Sequence, residues 1–465
     1  MKRSFASLIL FMLILIPART CFTQNKLHSI ASMIGDSTDD VFSVVSQIGD
    51  VNGDGYADML VGAYNGNYAK LFFGGKIFDT IPDMTFRCDQ MNSRFGWAIA
   101  GGQDINGDGY PDFVIGAPYY WDGGRPLGVA ESGKIYVYYG GPNLDTLANV
   151  EITMNQLYYN FGNSVALGDV NGDGYADIIV GAPNDDLDAH GRVYIYFGGK
   201  QLHTTPDIVL EGTAPYDNFG ESVSYVGDVN GDGYGDFVVG APQLHLTGPR
   251  FQGGKAYLFY GGLNVGFQNS ILFLGDSVPP GQFGRVVAGL GDVNGDGIGD
   301  VGIMAGKYVN IISGKTLETI LRVNADTLTY GLQTIAGIRD MNNDGINDFA
   351  LGFQDKADQY SGKLNIYLGK TALDTLPDYQ ISGNSQNGYF ACSIAGLGNI
   401  NATASGEIAV GQNDSYGTTG PGRVYIYSFD LPDEVRKSND SQIPAGYKLL
   451  QNFPNPFNPS AVSQK

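Results

Sequence analysis

Six nine-residue segments carry oxygen-bearing side chains at alternate positions, the pattern a hard divalent cation requires. In the third, Asp169, Asn171 and Asp173 hold positions 1, 3 and 5, Gly174 permits a sharp turn at position 6, Tyr175 offers a backbone carbonyl at position 7, and Asp177 ends the segment. Ca²⁺ takes about six to eight oxygens, so five such groups nearly complete its shell. The same positions are filled by Asp50, Asn52, Asp54, Tyr56 and Asp58, and by Asp104, Asn106, Asp108, Tyr110 and Asp112. They are filled again by Asp228, Asn230, Asp232, Tyr234 and Asp236, by Asp292, Asn294, Asp296, Ile298 and Asp300, and by Asp340, Asn342, Asp344, Ile346 and Asp348. A seventh copy keeps Asn399, Asn401, Thr403 and Glu407 but has lost most of its charge and the Gly at position 6, so it is expected to be metal-free or weak. About six Ca²⁺ ions per chain are expected.

Two other readings of the loops are weaker. An EF-hand or dockerin-type loop runs to a ligand at position 12 and feeds a helix, whereas position 12 here is Val61, Val180 or a similar residue in an apolar run. A metal-free Asx-rich turn would explain one loop. Three aspartates in each of six loops make 18 of the chain's 48 acidic residues, and without a cation they would repel one another strongly.

The elements around the loops repeat with them. Loop starts are separated by 54, 65, 59, 64, 48 and 59 residues, which defines seven units. An aromatic residue followed by Gly, such as Phe95-Gly96, Phe161-Gly162 or Phe219-Gly220, precedes each of the best-formed loops. After the loop comes an apolar run such as Ile178 to Val180, stopped by Gly181-Ala182-Pro183; then Val193 to Phe197 before Gly198-Gly199, and then Ile208 to Leu210. These are four short strands per unit, bounded by Gly and Pro breakers, and four strands make one propeller blade. The predicted fold class is therefore all-β, a seven-bladed propeller of four-stranded antiparallel blades.

The aromatic-Gly, the acidic loop and the Gly-Ala-Pro in fixed order resemble the FG-GAP repeats of integrin α-subunit heads and of many bacterial surface proteins. The resemblance covers residues 27 to 430, and it implies the same propeller and the same Ca²⁺ arrangement. Repeats 2 to 4 carry every element. In repeat 1 Gly62-Ala63-Tyr64 replaces the tripeptide, Met304 stands at its Gly in repeat 5, and repeats 6 and 7 keep only Gly352 and Gly411. The seventh unit stops after its third strand, so residues 29 to 35 are expected to supply the missing outer strand and close the ring.

Composition narrows the function. A formal charge of −21 argues against nucleic acid. Only three Cys are present, so no disulfide framework holds the fold, and Cys88 and Cys392 lie at different places in their repeats. Lys2 and Arg3 before the apolar run Leu8 to Ile16 read as an export signal over residues 1–24, too short to span a membrane, and no later segment could span one. The propeller is assigned to 25–430 and a linker to 431–446. Residues 447–465, with Asn455-Pro-Phe-Asn-Pro459, resemble the opening of a type IX secretion C-terminal sorting domain, apparently truncated. The expected location is secreted or cell-surface, as a monomeric ring.

Catalysis finds little support, since His28, His190, His203 and His245 stand in no ligand or nucleophile motif. The leading reading is an adhesion or ligand-binding module for a protein or carbohydrate partner; the alternatives are a propeller of a secreted hydrolase or lyase, and a structural spacer. In an up-and-down blade the acidic loops share one face with the connections between strands 3 and 4. Recognition is expected on the other face, at Tyr119, Tyr120 and Trp121 on the long connection of repeat 2, with Tyr158 and Tyr216 nearby.

Overall fold

Apolar runs rich in Val, Ile, Tyr and Phe, cut every few residues by Gly, have no length in which to form helices and instead pair as strands. A computed structural model describes residues 27–429 except 89, 122–131, 155–159, 185–189, 244–252, 277–281, 326–329, 356–358, 402–405 and 415–419. The predicted fold class is borne out: seven four-stranded sheets follow one another along the chain. In blade 3 the strands are Ser164–Gly168, Asp177–Ala182, Arg192–Tyr196 and Ile208–Glu211, each antiparallel to the next. First strands abut first strands around the whole ring, including those of blades 7 and 1.

Burial follows radial position. Second strands of blades 1 to 4 are buried at every residue, because neighbouring blades cover both faces. Fourth strands alternate: in Ile208–Glu211, Leu210 is buried while Val209 is exposed. The repeated aromatic joins blades, with Phe219 of blade 4 packing in one cluster with Ile179, Val193 and Leu210 of blade 3. The glycines of the motif allow the blades to approach. A Cβ on Gly181 would stand 2.0 Å from the carbonyl oxygen of Gly220 in the next blade. Gly220, at φ +89°, in turn donates its N–H to Gly240 at 3.0 Å. Blade 5 departs here as its sequence does, with Met304 fully buried against Leu332 and Leu351.

The ring closes through its N-terminal strand. Leu27–Ile34 pairs antiparallel with Arg423–Phe429, so the last sheet has its first residues outermost. The expected span, 29 to 35, begins two residues late and ends one late; Gly35 lies just past the strand, where its N–H still donates to the Gly422 carbonyl at 3.2 Å and a Cβ would lie 2.6 Å from the Pro421 carbonyl oxygen. Met33 anchors the strand in the cluster formed by Phe42 of blade 1 and Val424 and Ile426 of blade 7. Cys88 and Cys392 are free thiols. Among the described residues no helix is long and apolar enough to cross a membrane.

Candidate metal loops and the opposite face

Each acidic loop folds around its first aspartate. In loop 3, Asp169 Oδ1 accepts the N–H groups of Gly172 (2.7 Å) and Asp173 (3.2 Å), and Oδ2 accepts that of Gly174 (2.9 Å). Asn171 Oδ1 accepts the Asp173 N–H at 2.9 Å, its Nδ2 donates to Asp173 Oδ2 at 3.0 Å, and Asp173 Oδ1 accepts the Tyr175 N–H at 2.9 Å. Loops 1 and 4 repeat this pattern around Asp50 and Asp228, and loop 2 repeats it around Asp104 without the bond from the N–H of Asp108 to Asp104. Loop 5 differs in that Asn294 Nδ2 turns to Asp300 Oδ1, and Ser313 Oγ donates to Asp296 Oδ2 at 3.1 Å. In loop 6, Asn343 takes the left-handed backbone, φ 58°, that Gly adopts elsewhere.

The ninth-position carboxylate lies beneath the loop. Asp177 is fully buried; its Oδ2 accepts the Val170 N–H at 2.8 Å and its Oδ1 that of Gly198 at 2.9 Å. Asp58, Asp112, Asp236, Asp300 and Asp348 make the equivalent pair of bonds, the second to a glycine just after the third strand. This ties the two connections together on one face, as an up-and-down blade requires. Burial pushes Asp58, Asp112, Asp177, Asp300 and Asp348 up to about 7 and Asp236 up to about 6; the two backbone N–H donors oppose this, and repulsion from the other two loop aspartates adds to it.

Neighbouring loops are also stitched to one another. The N–H of Ala176 donates to the Asp104 carbonyl and that of Gly199 to the Ile105 carbonyl, both at 2.8 Å. The same links run from Gly235 and Gly262 to loop 3, and from Ala57 and Gly75 to Asn399 and Ile400 of loop 7. The seventh loop therefore still joins blade 1 through its backbone although Glu407 is its only remaining acidic residue. The residue at position 7 covers the preceding loop: a Cβ on Gly107 would stand 2.3 Å from the Tyr175 ring, and one on Gly172 would stand 2.8 Å from the Tyr234 ring. The loop pattern gives Tyr175 only a carbonyl; its packing partner, Gly107, lies 68 residues earlier in the neighbouring unit, where no pattern within one unit reveals it.

The donor set fits a calcium ion. All side-chain candidates are oxygen groups, and a carboxylate oxygen that accepts one N–H keeps a second lone pair. Among the described residues no three acidic, His or Cys side chains are already gathered as a chelate, since the loop carboxylates serve the loop's own N–H groups. What remains uncompensated is a buried carboxylate repelled by two others, and a cation relieves both. The groups that would hold it are the side chains at positions 1, 3, 5 and 9 and the carbonyl at 7. The bound ion would supply charge neutralisation and loop order. Protons compete for the same carboxylate, so Ca²⁺ affinity is expected to fall as pH drops from 8 to 6. Stability should respond with opposite signs. In the metal-free protein the ninth-position groups hold protons that the unfolded chain, at its ordinary 3.8, does not, so stability rises as pH falls through about 7. The calcium-loaded protein instead loses stability over that range. Melting curves at pH 8 and pH 6, with calcium and with chelator, check the crossing.

On the opposite face the expected residues divide. Tyr119 is 37% exposed and meets Trp97 edge-on, at 6.3 Å between ring centres. Tyr120 is half-buried under the Lys134 ammonium, 4.4 Å from the ring centre, and its backbone bonds to Ala117, Ser132 and Gly133. Trp121 is held by Gln90, whose side chain accepts its N–H and donates to its carbonyl, and its buried Nε1 has no partner among the described residues. Tyr216 is half-buried on the connection into blade 4, at φ 63°. Tyr158 lies outside the described residues.

Comparison with known proteins agrees with this architecture. Residues 45–76, 95–138, 161–196 and 219–259 match the FG-GAP repeat, one segment in each of blades 1 to 4. The chain is 32% identical to integrin alpha-5 of Xenopus laevis over 234 residues, covering 48% of this chain and 22% of that protein. It is 38% identical to integrin alpha-IIb of Mus musculus over 158 residues, covering 33% of this chain and 15% of that protein. It is 37% identical to the phosphatidylinositol-glycan-specific phospholipase D of Bos taurus over 183 residues, covering 37% and 21%. The chain thus spans about a fifth or less of these relatives' lengths. Four consecutive blades of this propeller are FG-GAP repeats, in a chain similar over part of its length to integrin alpha subunits.

Proposed function

We propose that this chain is a calcium-stabilised adhesion or ligand-binding module that works outside the cell or at its surface. Residues 1–24 would direct export, 431–446 form a linker and 447–465 begin a sorting segment; all of these lie outside the described residues. The observation that carries the reading is the difference between the two faces. One is committed to six acidic loops, of which the first four are knitted to one another, and the fifth to the sixth, by backbone bonds. The other carries the long connection of blade 2, with Tyr119 open to solvent among aromatic neighbours. Similarity to integrin alpha subunits favours a protein ligand over a glycan.

A panel of purified extracellular proteins and glycans, probed with calcium present and with chelator, tests this. Replacing Tyr120 and Trp121 with Ala is expected to abolish capture while calcium content and melting temperature stay nearly constant. Unaltered capture would move the site elsewhere. Loss of both capture and stability would assign the two rings to packing their own loop.

A further inference from the structure

Three departures from the repeat pattern meet at one place on the face opposite the acidic loops. Tyr64 stands where blades 2 to 4 have the Pro of Gly-Ala-Pro, Trp97 follows Phe95-Gly96, and Arg94 precedes it. Tyr64 and Trp97 lie edge to face at 4.8 Å, Trp97 and Tyr119 at 6.3 Å, and the Arg94 guanidinium sits over both tyrosines, 5.5 Å from the Tyr64 ring and 5.9 Å from the Tyr119 ring.

Arg94 occupies a costly position. The residue before the repeated aromatic has a left-handed backbone in six blades: Val41 at φ 56°, Arg94 at 61°, Asn160 at 47°, Asn218 at 52°, Gln282 at 52° and Tyr389 at 46°. Asn, the side chain that tolerates this region best, fills it in blades 3 and 4. In blade 2 an arginine is held there instead, its N–H donated to Asn67 Oδ1 at 3.0 Å beside the buried Ser93, whose Oγ uses the same acceptor. Among the described residues the guanidinium has no acidic partner, in a chain of net charge −21. These ring contacts engage none of its N–H groups, and the edge of a guanidinium matches a carboxylate with two parallel bonds.

We propose that Arg94, framed by Tyr64, Trp97 and Tyr119, is the anchor for a single Asp or Glu side chain of a protein ligand that is otherwise basic. The inference rests on the opposite face being the recognition face. Charge selects the partner class: even with about six Ca²⁺ bound on the other face the chain stays net negative, which disfavours a polyanion such as a uronate polymer and favours a cationic protein, while Arg94 sets register at one point. The aromatic frame offers apolar surface that a docked ligand would cover, excluding water from around the paired charge.

The test uses the calcium-loaded protein on an array of lysine-rich peptides, each carrying one Asp or Glu, beside twins carrying Asn or Gln. Acidic peptides are expected to bind at least about tenfold better than their amide twins. Arg94→Asn should remove that preference while keeping or raising the melting temperature, because Asn suits the backbone as it does at Asn160 and Asn218. Arg94→Lys, which keeps charge but loses the fork, should fall between. Equal binding of the twins, undiminished binding by Arg94→Asn, no peptide binding, or binding only to uronate oligosaccharides would each overturn the proposal. If Tyr120→Ala with Trp121→Ala abolishes binding that Arg94→Asn leaves intact, only the Arg94 anchor falls. If neither variant affects binding, the recognition face falls with it.

Discussion

Stripping calcium with a chelator is expected to lower the thermal midpoint by more than about 10 °C. A ligand that binds only the native state adds RT ln(1 + [L]/Kd), about 2.7 kcal/mol for one site at a hundredfold excess. Each kcal/mol moves the midpoint by about 2–4 °C in domains of 150–250 residues, and somewhat less in a larger one. A single site would therefore give a modest shift. Six loops within one ring act on the same cooperative unit, and without calcium each ninth-position carboxyl stays buried beside two other aspartates. Asp173→Ala is expected to produce only a fraction of the change, since Asp169 and Asp177 hold the backbone of that loop without it. Scanning calorimetry with calcium, with chelator and after calcium is restored measures all three. An unchanged midpoint on chelation would mean that the loops hold themselves together by their own N–H bonds alone.

Removing residues 25 to 36 is expected to be comparably damaging. The deletion takes away the ladder from Leu27–Phe429 to Ile34–Arg423 and leaves the strand Arg423–Phe429 as an open edge. It also removes Met33, a buried side chain whose loss alone costs about 2–5 kcal/mol. Asp36 goes too, with its ion pair to Lys70 and the bond its N–H donates to the Tyr68 hydroxyl at 2.8 Å. Blades 7 and 1 then meet without their shared anchor. A chain ending at Phe429 provides the reference, and urea or thermal unfolding of the two truncations reads the difference. Equal midpoints would contradict closure by this strand.

What could be read in advance was what repeats within a unit. The spacing of Asp169, Asn171 and Asp173 announces a turn between two strands, and Val193 to Phe197 before a Gly pair announces a strand and its end. The closing strand was legible because the seventh unit lacked a fourth strand and the N-terminus had one to spare. Contacts between units were not legible. Gly107 and Tyr175 belong to different blades, and nothing in either loop says that one packs on the other. The burial of Asp177, and its bond to Gly198, similarly depends on how the third strand returns to the loop. On the opposite face, aromatic residues in a long connection suggested exposure. Tyr120 and Trp121 are instead half-buried against Lys134 and Gln90, and Tyr64, Arg94 and Trp97, which join Tyr119, came from positions where the repeat pattern merely looked imperfect.

The central claim is that the acidic loops are calcium sites, and counting ions tests it most directly. Isothermal titration of chelator-stripped protein, with metal analysis of the reloaded sample, is expected to return about six Ca²⁺ per chain, and one fewer for Asp173→Ala with the remaining sites intact. Two or fewer ions in the unaltered protein would contradict the account.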